Sequence, residues 1–206
     1  MSISSYAENK ILDALFNNTA LAVAQPYLSL HSGDPGETGA NEIAGGSYAR
    51  QAASFGAAAS GQVQNDATID FTLMPAGTVL GFGLWDAAAA GNCLWTGWLS
   101  TVLRAFVADD VAGDTIRSPA HGFANDDRVA FEAEDVGSLP TGLVAGTLYW
   151  VINSTTDTFK VSATQGGAAV NLTATGSGKV RKVTPKIVNA GDTFRFVAGA
   201  LTLPIF

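Results

Sequence analysis

The chain has 206 residues, 47% of them apolar, enough to fill one packed core or two small ones. Eighteen acidic residues against eleven basic ones leave a net charge of −7. That balance argues against a nucleic-acid surface, which needs a basic stripe, and against an anionic membrane surface as partner.

Taken in chain order, Ser5-Tyr6-Ala7-Glu8 fits a capping box and predicts a helix over residues 5–17. Ala7, Ile11 and Leu15, joined by Leu12 and Phe16, form one apolar stripe. The stripe packs on the chain's own sheet or docks on a partner, which makes Ile11 and Leu15 candidate oligomer or attachment contacts. Tyr27-Leu28-Ser29-Leu30-His31 reads as a strand, with Leu28 and Leu30 on one face and Tyr27, Ser29 and His31 on the other. Ser32-Gly33-Asp34-Pro35-Gly36 is turn chemistry: Pro35 presets its φ, Asp34 bonds forward to the backbone, and Gly36 permits positive φ. The loop closes at Gly45-Gly46-Ser47-Tyr48-Ala49-Arg50, and residues 50–55 look extended. Residues 57–61 read as loop, 67–71 as a half-buried strand and 74–77 as a turn. Residues 79–85 are apolar throughout, a strand buried on both faces, where Gly81 and Gly83 allow close packing.

A small-residue loop at 86–91 leads to a strand at 92–99, with Cys93, Trp95 and Leu99 on one face and Leu94 and Trp98 on the other. The single cysteine excludes an internal disulfide and reads as a small buried hydrophobe. Trp85, Trp95 and Trp98 suit either the core or a subunit interface.

Composition changes near Leu103. Acidic residues then cluster, and short strands are expected at 128–131, 148–152, 158–162 and 169–172, separated by turn signals including Gly137 and Gly142. Asn189-Ala190-Gly191-Asp192 makes a turn before closing strands at 193–197 and 200–203. No run approaches the ~18 apolar residues of a membrane span. The N-terminus lacks the basic and long apolar regions of a signal peptide, so assembly in the cytoplasm and no membrane insertion are expected.

The pattern Y-L-x-L-H-x-G-D-P-G-x-x-G-x-N-E with G-x-Y-x-R, spanning Tyr27 to Arg50, resembles the short tail-fibre-like virion proteins of tailed bacteriophages. The resemblance continues in Met74-Pro75-Ala76, Gly83-Leu84-Trp85-Asp86 and Asn189-Ala190-Gly191-Asp192-Thr193-Phe194-Arg195-Phe196. Residues 121–129, 139–149 and 149–162 are similar to a module that recurs in phage structural proteins. The resemblance implies a virion part with a direct connection from Leu99 to Val188, so the second module reads as an insertion. The expected fold is mainly β: a β-sandwich or jelly-roll-like base with an N-terminal helix at residues 1–103 and 184–206, and a small inserted all-β domain at 104–183. Insertion at a hairpin tip is tolerated, since doubling a loop costs only about 0.6 kcal/mol.

Catalytic chemistry is not indicated. His31, Ser32 and Asp34 are near neighbours on one turn, and a triad needs members that converge with histidine between the other two. Two histidines and one cysteine do not make a zinc site. Asp126 and Asp127 with Glu132, Glu134 and Asp135 carry oxygens a calcium ion would accept, but the EF-hand pattern is absent. The glycine-rich loop lacks a phosphate-binding signature. No cofactor is expected. Tyr149 and Trp150, with Phe159 nearby, are candidate ligand-facing aromatics on the insert, though alternation sends at least two of the three into the core.

The expectation is a non-enzymatic virion structural protein that oligomerises, with a trimer favoured by analogy, and attaches to capsid or tail proteins while the inserted module projects. It is read as tail-fibre-like or as a tail- or neck-associated part. The absence of long repeats or heptads points to a short appendage rather than a shaft. A capsid decoration protein is the alternative, and a host-receptor or glycan-binding module the second alternative.

Overall fold

The computed structural model describes residues 2–21, 23–100, 103–133 and 138–204. The chain is mainly β, with the short helix α1 (Ser5–Phe16) near the start. It divides into two compact units: Met1–Leu99 with Pro185–Phe206, and Ser100–Thr184.

The first unit is built on the all-apolar run. β7 (Gly81–Trp85) is buried at every position and is the middle strand of a five-stranded sheet. β8 (Cys93–Trp98) and then β1 (Ser2–Ile3) lie to one side, β2 (Tyr27–His31) and β3 (Gln51–Ala52) to the other. A strand flanked on both edges and covered on both faces can carry only small or apolar residues, and this one reads Gly-Phe-Gly-Leu-Trp. Trp85 faces Cys93 while Leu84 faces Trp95, so Leu94 is the extra residue of a β-bulge.

Beside the sheet runs an interrupted two-stranded ribbon. β4 (Gln62–Gln64), β5 (Ile69–Phe71) and β6 (Gly77–Val79) pair with β17 (Thr202–Pro204), β16 (Phe194–Phe196) and β15 (Lys186–Val188). From the Val79–Lys186 pair to the Phe71–Phe194 pair both strands advance equally, so the turns at Met74 and Asp192 interrupt the ladder without shifting it. Sheet and ribbon share one core: Leu28, Leu30, Phe82 and Leu84 from the sheet, Phe71, Val79, Phe196 and Leu203 from the ribbon. Phe82 meets Phe196 edge-on at 6.2 Å.

The second unit is a closed antiparallel barrel. Its strands run, in order around the barrel, β10 (Thr115–Arg117), β13 (Thr158–Ser162), β12 (Leu148–Ile152), β11 (Arg128–Glu132), β14 (Gly176–Val183) and β9 (Arg104–Asp110). Phe106, Phe131, Val151, Phe159 and Val180 fill its core. Closure leaves no edge strand exposed.

Several expectations are corrected. The helix cap is Ser4, not Ser5: the Ser4 hydroxyl accepts from the Ala7 amide at 3.2 Å, so Glu8 falls outside a capping box. The apolar stripe on α1 is not one buried face, since Ala7 is its only buried residue. Residues 169–172 form no strand; only Val170 N–H reaches Val161 O, at 2.8 Å. β9, β10 and β14 were not anticipated. Gly137, Glu134 and Asp135 lie outside the described residues.

The two junctions of the units are local. Leu99 N–H donates to Leu80 O at 2.8 Å, and Lys186 pairs with Val79, so the chain leaves and rejoins the first unit at neighbouring residues. Within the second unit Ser100 bridges Val183.

Candidate interaction surface

The glycine-rich stretch folds back on its own sheet. Asp34 Oδ1 accepts from Gly36 N–H at 3.0 Å in an Asx turn, and Asn41 Nδ2 donates to Asp34 O at 2.8 Å. Gly39, at φ +70°, lies so close to Trp85 that a Cβ there would fall 2.3 Å from the indole. Arg50 also packs on this indole, its guanidinium 3.5 Å from the Trp85 ring centroid. Arg50 is fixed by Glu42 at 2.7 Å and donates to Ala87 O and Ala90 O. Tyr48 Oη accepts from Leu30 N–H at 2.7 Å, and burial raises its pKa.

His31 is wholly buried, and that burial lowers its pKa and keeps the ring neutral. Nδ1–H donates to Ala40 O at 2.6 Å, because a carbonyl only accepts. Nε2 therefore accepts from the Ser29 hydroxyl at 2.7 Å, which in turn accepts from Trp85 Nε1–H at 2.8 Å. Both ring nitrogens are occupied, Ser29 is wholly buried, and Asp34 is engaged in its turn. His31, Ser32 and Asp34 do not assemble a triad; they hold the loop.

A different face is open. α1 sits beside β8, held by the Ser4 hydroxyl on Cys93 O and by Ser4 N–H on Leu94 O at 3.0 Å. Between α1, the following loop and the sheet lies a groove of about 480 Å³, lined by Ala7, Lys10, Ile11, Phe55, Leu84 and Leu203 among others. Leu12, Leu15 and Phe16 are 51%, 69% and 78% exposed, and Tyr6 and Leu21 are also exposed.

Each residue singled out in the sequence now has a place. Ile11 lines the groove and Leu15 stands in solvent. Trp85, Trp95 and Trp98 are buried inside the unit, and Trp95 also lines the groove. On the barrel, Tyr149 and Phe159 are core residues, and Tyr149 Oη accepts from Val144 N–H at 3.0 Å. Tyr149 is thus not ligand-facing. Trp150 is half-buried, with the Arg128 guanidinium 4.4 Å from its ring centroid. Asp127 pairs with Lys182 at 2.6 Å and Glu132 with Arg181. Among the described residues no group of three or more His, Cys, Asp or Glu is placed to hold a metal ion. The sequence reading passed over Tyr6 and Leu21. Their signal is a helix and following loop with more large apolar residues than one buried face can use.

A family model described as Podophage GP4 fiber I protein gp80 matches residues 2–137. The chain belongs to that family. The matched span covers α1, the glycine-rich loop and the whole five-stranded sheet, and continues into the barrel as far as β11. Membership supports a structural, fibre-like role in a bacteriophage virion. No curated protein matches the chain.

Proposed function

We propose that this protein is a non-enzymatic tail-fibre-like or tail- and neck-associated part that assembles with copies of itself through the α1 face and attaches to the particle as that assembly. The observation that supports this is the exposed apolar side of α1 beside an apolar groove, in a chain of a phage fibre family. Five large apolar side chains exposed by 38–78% offer on the order of 500 Å². At about 25 cal/mol per Å² that is roughly 12 kcal/mol of gross burial, similar to the ~4–15 kcal/mol cost of association. One such contact is marginal, and several closed into one oligomer reinforce one another.

The test is addition of the purified chain to particles that lack it. Wild type should bind, and a Leu12→Asp/Phe16→Asp variant with unchanged circular dichroism should not; equal binding would refute the dependence of attachment on the α1 face. Counting copies in purified virions separates the two locations. A tail or neck part should number roughly three to eighteen, as symmetric assembly there requires. Hundreds per particle would replace the tail reading with capsid decoration.

A further inference from the structure

We propose that the groove beside α1 receives the outward face of α1 from a second copy, head to tail, so that copies close into a ring. This rests on the self-assembly reading above and names its contact.

The two halves of the contact lie on different sides of one helix. Tyr6, Ala7, Lys10 and Ile11 line the groove, whereas Leu12, Leu15 and Phe16 do not and are exposed. At 100° per residue the centres of the two groups lie roughly 160° apart around α1. A patch carrying knob and hole on the same side would pair about a two-fold axis. With the knob on one side and the hole on the other, each copy offers its knob to one neighbour and its groove to another. The smallest ring of that kind holds three copies.

Charge follows the same division. Glu8 shares the outward face with Leu12 and Leu15, at four- and seven-residue spacing. Lys10 lines the groove, as does Asp86, whose carboxylate is held by Asn92 N–H and Nδ2. Neither Glu8 nor Lys10 forms an ion pair among the described residues; Lys10 only approaches the Tyr6 ring, at 5.7 Å. Seating the outward face of one helix in the neighbouring groove brings a lone acid towards a lone base. The area is also of the right order. The outward side chains of Leu12, Leu15 and Phe16 offer on the order of 400 Å² of the ~800 Å² per partner in a standard interface, and the groove walls, Tyr6 and Leu21 among them, supply further surface.

Sedimentation equilibrium of the full chain tests this. Wild type should form a closed oligomer of at least three copies. Leu15→Asp/Phe16→Asp should weaken self-association by at least about thirtyfold, as loss of a hot spot does. Glu8→Lys and Lys10→Glu should each weaken it by about two- to fivefold, and E8K/K10E together should restore it. The paired swap is on the surface and reads charge matching rather than folding. A two-fold dimer, a wild type that associates more weakly than about 0.1 mM, or a double swap no better than either single change would overturn the proposal. Particle binding by a monomeric wild type would remove this contact and leave the virion role standing.

Discussion

Gly39 is the most demanding position in the glycine-rich loop, and a pair of substitutions isolates why. At Gly39 a Cβ would lie 2.3 Å from Trp85 Cζ2 and 2.6 Å from Cη2, at φ +70°. At Gly36, φ is +54° and nothing lies within 4 Å of the added carbon. Gly36→Ala therefore meets only the left-handed backbone penalty, about 1–2 kcal/mol. Gly39→Ala meets the same penalty and must also displace the indole, which overpacking series price at about 1–3 kcal/mol. The indole cannot swing freely, because Arg50 stacks 3.5 Å from its centroid and its Nε1–H is held by Ser29. Gly39→Ala should thus cost about 2–5 kcal/mol, and more than Gly36→Ala by at least 1 kcal/mol. Urea denaturation followed by tryptophan fluorescence suits the measurement, since Trp85, Trp95 and Trp98 all report on the first unit. Equal midpoints for the two variants would show that the loop does not bear on Trp85 in the way described.

Further outcomes can be checked independently. Excising residues 100–184 and joining Leu99 to Pro185 should leave a soluble, folded base, because Leu99 and Lys186 are anchored on neighbouring residues; an aggregated product would show that the barrel is needed for folding. His31 has a lowered folded pKa, so the unfolded chain takes up the proton more readily. Its contribution to stability is complete above the ordinary histidine pKa of about 6.5 and is lost as pH falls below it, by at most about 1.4 kcal/mol per pH unit. A His31→Gln variant should show a shallower loss between pH 7 and pH 5 in urea titrations, and an unchanged slope would exclude His31 as its source. The Cys93 thiol is buried and pushed up to about 11, so a thiol reagent at pH 8 should modify it only after denaturation. Rapid modification of the native chain would contradict that burial.

Within the apolar run at residues 79–85, residues 81–85 form the doubly buried strand β7, while Val79 ends β6 in the ribbon. The turn at Asp34 was a local signal, carried by residue types whose preferences act over a few positions. Alternation at β2 could not say what covers its second face. Ser29 and His31 lie opposite Leu28 and Leu30 and are wholly buried, because the following loop returns to cover them and supplies Ala40 O as a partner. β14 carried no apolar run to reveal it; Gly-Ser-Gly-Lys-Val-Arg-Lys-Val becomes a strand because β9 and β11 hydrogen-bond to its two edges. Residues 169–172 had the alternation of a strand without a ladder to join.

On α1 the sequence could count the apolar residues but could not apportion them. Which of Ala7, Ile11, Leu12, Leu15 and Phe16 turn inward depends on how the Ser4 cap and the β8 edge set the helix against the sheet. Composition and short-range preference determined a β-rich chain with a turn-dense loop. Long-range pairing decided the barrel, the buried histidine and the exposed helical face, since backbone hydrogen bonds and burial are satisfied only by segments far apart in the chain.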